Sequence, residues 1–138
     1  MWRKILNDTD IQIFMNKINF FHDACVKGIH YISGAYVKEN LSMFPINTQR
    51  TLEVEIHRQC SDDSVIFMRF NGLKYMRLYP IDENYTCEIS NASLFLKNDL
   101  IYWCDGFVSS EIGLDEFTGT IICASKLQWR SESIKQSD

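Results

Sequence analysis

The sequence predicts an α+β fold in which one N-terminal helix packs on a strongly bent antiparallel sheet, or on an open barrel, of about seven strands. A stripe of apolar residues with the helical period of 3.6 lies near the start of the chain, and segments with the strand period of two follow it. The connections between these later segments are short, which favours antiparallel neighbours. The 138 residues, of which 46% are hydrophobic and 23% charged, suit a single domain over residues 1–138.

The first element is a helix predicted at about residues 9–27. Thr9 and Gln12 have the spacing of a capping box, which satisfies backbone N–H groups at a helix start. Gly28 follows as a natural stop, because glycine readily adopts the left-handed conformation that ends many helices. The apolar stripe of this helix consists of Ile11, Phe14, Met15, Ile18, Phe21 and Cys25.

The sheet is predicted at about residues 29–129. Leu52, Val54 and Ile56 alternate with charged or polar side chains, as in a strand with one buried face. Several other strands are apolar on both faces, so either the helix covers one face or the sheet curls. The predicted core consists of Ile11, Phe14, Ile18, Phe21, Leu52, Val54, Ile56, Trp103 and Ile122.

Two dipeptides predict turns within the sheet. Asn71-Gly72 is the strongest short hairpin signal in the chain. A two-residue turn there places Arg69 opposite Lys74, an unfavourable like-charge pair, so a bulge or a longer turn is a possible alternative. Asn98-Asp99 predicts a second turn. The polar tail over residues 130–138 is expected to be frayed.

The composition excludes several classes of protein. The net charge of -4 and the pI of about 5.3 argue against non-specific nucleic-acid binding, which normally needs a basic surface. No apolar run reaches the roughly 18 residues of a membrane span, so no membrane partner is expected. No signal-peptide core follows Arg3 and Lys4, and the five cysteines are odd in number and widely spaced, which predicts a cytoplasmic protein with reduced thiols. Phosphate-loop, nucleophile-elbow and zinc-protease motifs are absent, so we expect no cofactor.

An acidic, apolar loop is the main candidate for a binding surface. The chain has no Lys or Arg between Lys97 and Lys126, and the loop at 105–117 mixes carboxylates with apolar side chains. Carboxylates can steer a basic protein partner while the apolar side chains make the contact. The alternative is a solvated loop that packs on the sheet. The predicted partner-binding residues are Asp105, Phe107, Glu111, Leu114, Asp115 and Glu116.

Two His-x-x-Cys steps offer a metal-binding alternative. His22 and Cys25 share a helix face if both are helical, and His57 and Cys60 lie at a strand end. Two imidazoles and two thiolates are a suitable zinc ligand set. Packing of Cys25 and solvation of His57 explain the same residues without a metal, so no metal site is predicted.

Four stretches of the chain carry a resemblance: FHDACVKGIHYISGAYV, FNGLKYMRLYPIDENYTCEI, LIYWCDG and TGTIICASKLQWR. They resemble a group of small uncharacterised bacterial proteins that have an N-terminal helix and an antiparallel sheet. The resemblance covers about residues 20–130 and implies that fold, but no functional residue. In size, charge and class the chain also resembles the immunity partners of bacterial toxins.

The leading functional hypothesis is a cytosolic, non-enzymatic protein-binding module, such as an immunity or regulatory partner protein. It depends on the acidic, apolar loop and on the absence of catalytic motifs. One alternative is a small molecule bound in an aromatic-lined cavity of the curled sheet. Another is an enzyme that uses His22 or a thiol. The oligomeric state is left open.

Overall fold

The described residues form one α-helix and an open antiparallel sheet of seven strands, with a separate two-stranded hairpin. The computed structural model describes residues 1–109 and 113–133. The elements are β1 (Arg3–Ile5), α1 (Asp8–Lys17), β2 (Ala24–Ile32), β3 (Tyr36–Val37), β4 (Met43–Phe44), β5 (Thr51–Arg58), β6 (Val65–Arg77), β7 (Ser93–Lys97), β8 (Leu100–Cys104) and β9 (Ile121–Glu132). Single 3-10 turns lie at Asn19–Phe21 and Leu114–Glu116.

The strand order of the main sheet is β2-β5-β6-β9-β8-β7, and β1 also pairs with β9. Every pair is antiparallel. The sheet is not closed, because β2 and β7 each have only one neighbour on this path. The predicted α+β fold, with one N-terminal helix on a bent antiparallel sheet or open barrel of about seven strands, is therefore confirmed as one helix and an unclosed antiparallel sheet of seven strands.

The helix is shorter than predicted, and its N-terminal cap lies two residues earlier than predicted. Asn7, not Thr9, caps it, because the Asn7 side chain accepts a hydrogen bond from the Asp10 N–H at 2.9 Å. The helix ends at Lys17 instead of continuing to residue 27. Gly28 does not stop a helix but follows a bulge in β2.

A left-handed turn explains the early end of the helix. Asn19, Phe20 and Phe21 have φ values of 50°, 54° and 59°, which no α-helix allows. The turn directs Phe21 into the core, where it is fully buried. The apolar stripe continues past Lys17 in the sequence because the core needs Ile18 and Phe21, even though the chain has left the helix.

The predicted hairpin at Asn71-Gly72 is wrong. β6 runs through both residues as one strand of 13 residues. Gly72 has a φ of 64°, and the register with β9 shifts just beyond it, between Leu73 and Tyr75. The dipeptide therefore provides a bulge in a long strand, a role that also needs a positive φ.

The turn predicted at Asn98-Asp99 is correct. It joins β7 to β8 with Lys97 opposite Leu100, and both turn residues have positive φ values of 53° and 63°. These values are typical of the two-residue turns that match strand twist. The expected frayed tail is wrong for its first residues, because β9 continues to Glu132; residues 134–138 lie outside the described part of the chain.

The core lies between α1 and one face of the sheet. All nine predicted core residues are buried. Four aromatic rings form its centre: Phe14 lies 4.5 Å from Trp129 and 5.7 Å from Phe21, and Phe21 lies 5.7 Å from Trp103 between ring centroids. These contacts fix α1 and the left-handed turn on the sheet. None of the helices in the described residues is long and apolar enough to cross a membrane.

Candidate functional site

A groove with a volume of about 990 Å³ lies along strand β7, between α1 and the loop that follows β8. Its lining is mainly apolar. The helix side contributes Ile11, Met15 and the nearby Phe20. Residues 91–97 line it along the sheet edge, and Phe107, Val108 and Leu114 line it from the loop.

The floor of the groove is an open sheet edge. β7 pairs with β8 and has no other strand neighbour in the described sheet. In a hairpin with a two-residue turn, the residues that flank the turn form a hydrogen-bonded pair, and such pairs alternate with non-bonded ones. Lys97 and Leu100 flank the turn, so the backbone groups of Leu94 and Leu96 point away from β8. No described residue forms a hydrogen bond with them.

The side chains of β7 divide between the two faces of the sheet. Leu94 and Leu96 lie opposite Trp103 and Ile101 on the face that α1 covers. Phe95 lies on the other face and stacks on Tyr102, with ring centroids 5.2 Å apart and planes at 10°. The middle of this edge strand, from Leu94 to Leu96, is therefore apolar on both faces.

The helix side of the groove depends on the left-handed turn after α1. The Phe20 carbonyl accepts a hydrogen bond at 2.8 Å from the N–H of Ala92, just before β7. This bond holds the turn against the sheet. The Phe20 side chain is 43% exposed although it is a phenylalanine, because it lines the groove instead of the core.

The loop side is held by hydrogen bonds to the end of the β7–β8 hairpin. The Ser93 hydroxyl donates to the Gly106 carbonyl and accepts from the Val108 N–H, both at 2.9 Å. Asp105 and Thr120 close the base of the loop: the Asp105 N–H donates to the Thr120 carbonyl at 3.2 Å, and the Thr120 N–H donates to Asp105 Oδ1 at 3.0 Å.

Arg77 also fixes this loop, from strand β6. Its guanidinium donates to the backbone carbonyls of Phe117 and, at 3.3 Å, of Gly119. Only glycine fits at position 119 without a steric overlap, because a Cβ there would lie 2.6 Å from Asp105 Oδ1 and from the Phe117 ring. Arg77, which comes from a strand distant in the sequence, thus provides the cationic hydrogen-bond donor that the loop itself lacks.

The predicted partner-binding residues have different positions. Phe107 and Leu114 line the groove, and Phe107 is 74% exposed. Asp115 and Glu116 are exposed in the 3-10 turn that begins at Leu114. Glu111 lies outside the described residues.

Asp105 is half-buried, and its bonds to Thr120 make it a loop-fixing residue in this structure. Burial raises the pKa of the Asp105 carboxyl above its ordinary value, and the hydrogen bonds from the Asp105 and Thr120 N–H groups and the Thr120 side chain oppose this effect. The charged carboxylate is therefore held in the loop at a cost in desolvation free energy.

Of the four residues of the metal-binding alternative, the structure places Cys25 and His57 opposite each other in β2 and β5, but among the described residues it brings no three of the four together as metal ligands. His22 follows the 3-10 turn and Cys25 lies in β2, so the assumption of one shared helix face is wrong. His22 Nδ1 lies 2.7 Å from the Ser90 carbonyl, and His57 Nε2 lies 2.9 Å from Glu55 Oε2. Within residues 1–109 and 113–133, no group of three or more His, Cys, Asp or Glu side chains could hold a metal ion.

Sequence reasoning missed the helix and edge-strand sides of the groove. The signal that could have revealed them is the run Leu94-Phe95-Leu96, which is apolar on both faces of a strand beside a turn. Comparisons with protein-family models, curated proteins and solved structures found no significant match. The resemblance described above therefore stays a prediction, and the groove has to be interpreted from its own geometry.

Proposed function

We propose that this protein is a protein-binding module that takes up an extended segment of its partner as an added strand on β7. One observation carries the proposal. The backbone N–H and C=O groups of Leu94 and Leu96 have no hydrogen-bond partner among the described residues, and they lie on the floor of an apolar groove. Main-chain hydrogen bonds to a sheet edge provide affinity in this binding mode, and pockets for alternate side chains provide specificity.

The edge lacks the features that normally prevent such pairing. Natural sheets protect their edges with proline, bulges, charged side chains or covering elements. β7 contains no proline and no bulge, and its one charged residue, Lys97, lies at the turn. The opposite edge, β2, has a bulge between Val26 and Gly28 that includes the exposed Lys27. Protection of one edge and not the other supports a binding role for β7.

Successive side chains of the bound segment would point to opposite sides of the sheet edge and contact the two sides of the groove in turn. Residues that point toward α1 would contact Ile11 and Met15, and those that point the other way would contact Phe95 and Phe107. A basic partner, as the sequence predicts, would in addition be attracted to the exposed Asp115 and Glu116 beside Leu114. The five free cysteines are consistent with the proposed cytosolic setting.

The test compares two substitutions of Leu96. Leu96→Pro removes the outward N–H but leaves the bonds between β7 and β8 intact, whereas Leu96→Ala removes only the side chain beyond Cβ. Peptides selected from a random display library on the native protein are measured by calorimetry against both variants. We expect Leu96→Pro to weaken binding about tenfold more than Leu96→Ala, because a main-chain bond is lost and the ring blocks strand addition.

Amide hydrogen exchange provides the second measurement. The bound peptide should slow exchange at Leu94 and Leu96, while the Phe95 amide, which already faces β8, should change little. Urea unfolding checks that both variants are folded. Equal effects of the two Leu96 variants, or a library that yields no enriched peptide, would refute strand addition at β7.

The small-molecule alternative predicts a different result. The groove volume of about 990 Å³ is at the upper end of the range for ligand pockets, and three phenylalanines line it, at positions 20, 95 and 107. A small ligand in this groove would depend on those side chains and not on the Leu96 N–H. Leu96→Pro and Leu96→Ala would then affect its binding equally.

A further inference from the structure

A second cleft, with a volume of about 520 Å³, lies where two strands share one side of β9. β6 occupies the other side of β9 along its length. On the shared side, β8 pairs with residues 121–124 and β1 pairs with residues 127–129. Ser125 and Lys126 therefore have no strand neighbour on that side, and the gap forms the cleft.

Three lysines from distant parts of the chain line this gap. Lys4 comes from β1, Lys97 from the end of β7 and Lys126 from β9. All three are exposed, and none forms an ion pair with a carboxylate in the described part of the chain. Asp99 is the one acidic residue among the lining residues.

This charge distribution is opposite to that of the whole protein. The chain carries a net charge of -4, yet the lining of the cleft carries three positive charges and one negative charge. Polar side chains that can donate hydrogen bonds, including Asn98 and Gln128, lie among the lysines. A concave site with several cations and neutral donors favours a multiply charged anion.

We infer that the cleft between β1 and β8 binds the phosphate group of a small phosphorylated molecule. Lysine binds phosphate as a compact point charge, and three lysines can contact one phosphate or diphosphate group from different sides. The cleft is larger than a phosphate alone needs, which leaves room for an organic part of the ligand. Phosphate binding here does not require strand addition at β7, although Leu96 and Lys97 line both the cleft and the groove.

The first experiment is an NMR titration of the isotope-labelled native protein with sodium pyrophosphate at constant ionic strength. We expect the amide signals of Lys97, Asn98, Ser125 and Lys126 to shift together in a saturable manner. Sodium chloride at the same ionic strength is the control, because bulk screening would act on all exposed charges. An equal response to chloride would overturn the inference.

Substitutions then locate the site. Lys97→Gln and Lys126→Gln should each weaken pyrophosphate binding about three- to fivefold, as expected for the loss of one exposed cation. Lys27→Gln is the matched control on the opposite sheet edge and should have no effect. Asp99→Asn should strengthen binding, because it removes the carboxylate from the cleft. Unchanged affinity in both cleft variants would overturn the assignment.

A last comparison distinguishes the phosphate from the rest of the ligand. Adenosine and adenosine diphosphate are titrated under the same conditions, with the same amide signals observed. Binding of the diphosphate but not of the nucleoside supports recognition through phosphate. Equal binding of both, unaffected by Lys126→Gln, would refute it.

Discussion

The base of the loop between β8 and β9 offers a direct test of how this protein uses a half-buried carboxylate. Asp105 and Thr120 exchange two hydrogen bonds, and Thr120 is only 3% exposed. Asp105→Ala leaves the buried Thr120 N–H without its acceptor. Asp105→Asn keeps an oxygen in the same place and removes the charge, so the two variants separate the hydrogen bond from the charge.

The expected magnitudes differ clearly. An unsatisfied buried N–H costs about 1–3 kcal/mol, so Asp105→Ala should lower the free energy of unfolding by that amount. This is a large part of the roughly 5–15 kcal/mol typical of natural domains. Asp105→Asn should be at least as stable as the native protein at neutral pH, because burial disfavours the charged carboxylate that it replaces.

The pH dependence follows from the raised pKa of Asp105. Between the ordinary carboxyl pKa and the raised one, the folded protein holds a proton that the unfolded chain has lost. The resulting stability is fully present below the ordinary pKa and is lost as the pH rises through the folded pKa. The stability advantage of Asp105→Asn over the native protein should therefore grow from acid to neutral pH.

Urea unfolding followed by tryptophan fluorescence, from about pH 4 to pH 7, measures these differences. Arg77 and the Ser93 contacts hold the loop in all three proteins, so the sheet should unfold with the same dependence on urea. The reasoning is refuted if Asp105→Asn is destabilised as much as Asp105→Ala, or if its difference from the native protein does not change with pH.

Three further outcomes are expected. Phe20→Gly should be about 1 kcal/mol more stable than Phe20→Ala in urea unfolding, the reverse of the usual order, because Phe20 has a φ of 54°. Gly119→Ala should lose about 1–3 kcal/mol in the same assay, since the new Cβ overlaps Asp105 and Phe117; an unchanged midpoint would contradict the close contact. The hydrogen bond of the Tyr102 hydroxyl to the Cys123 thiol, together with burial, raises the pKa of Tyr102 to about 12. An ultraviolet titration should show an ionisation near pH 12 that is missing in Tyr102→Phe, and native stability should fall as the pH rises from the ordinary tyrosine pKa toward that value.

The sequence predicts correctly those parts of the fold in which the residues of one segment are enough to determine its local structure. Leu52, Val54 and Ile56 alternate because one face of β5 is buried, and the alternation is visible in the sequence. Asn98-Asp99 forms its turn because both residues tolerate a positive φ. The fold class followed from such segments, without knowledge of how the strands are ordered.

The predictions were wrong where the same sequence pattern is compatible with two different local structures. Asn71-Gly72 suits a bulge as well as a turn, and only the partner strand β9 decides between them. Ile18 and Phe21 continue the apolar spacing of the helix although a left-handed turn, held by contacts with the core, follows Lys17. Tertiary contacts override the local pattern at both places.

The candidate site was predicted only in part for a similar reason. The loop residues Phe107 and Leu114 were identified from their own composition, and they line the groove. The other walls come from α1 and β7, which are about 80 residues apart in the sequence. No local signal connects Met15 with Leu96, because their proximity depends on the order of the strands.

The position of β9 has a consequence for how the molecule is made. It is the last of the nine described strands, yet it pairs with β1, β6 and β8. During synthesis these three strands emerge from the ribosome before β9, so the backbone N–H and C=O groups that pair with β9 stay unpaired until it emerges. Contacts between such distant segments give a high contact order and slow folding. Emergence of β9 from the ribosome, and not of any earlier strand, should therefore set the moment at which this sheet can assemble, and chaperones that shield apolar strands would act before it.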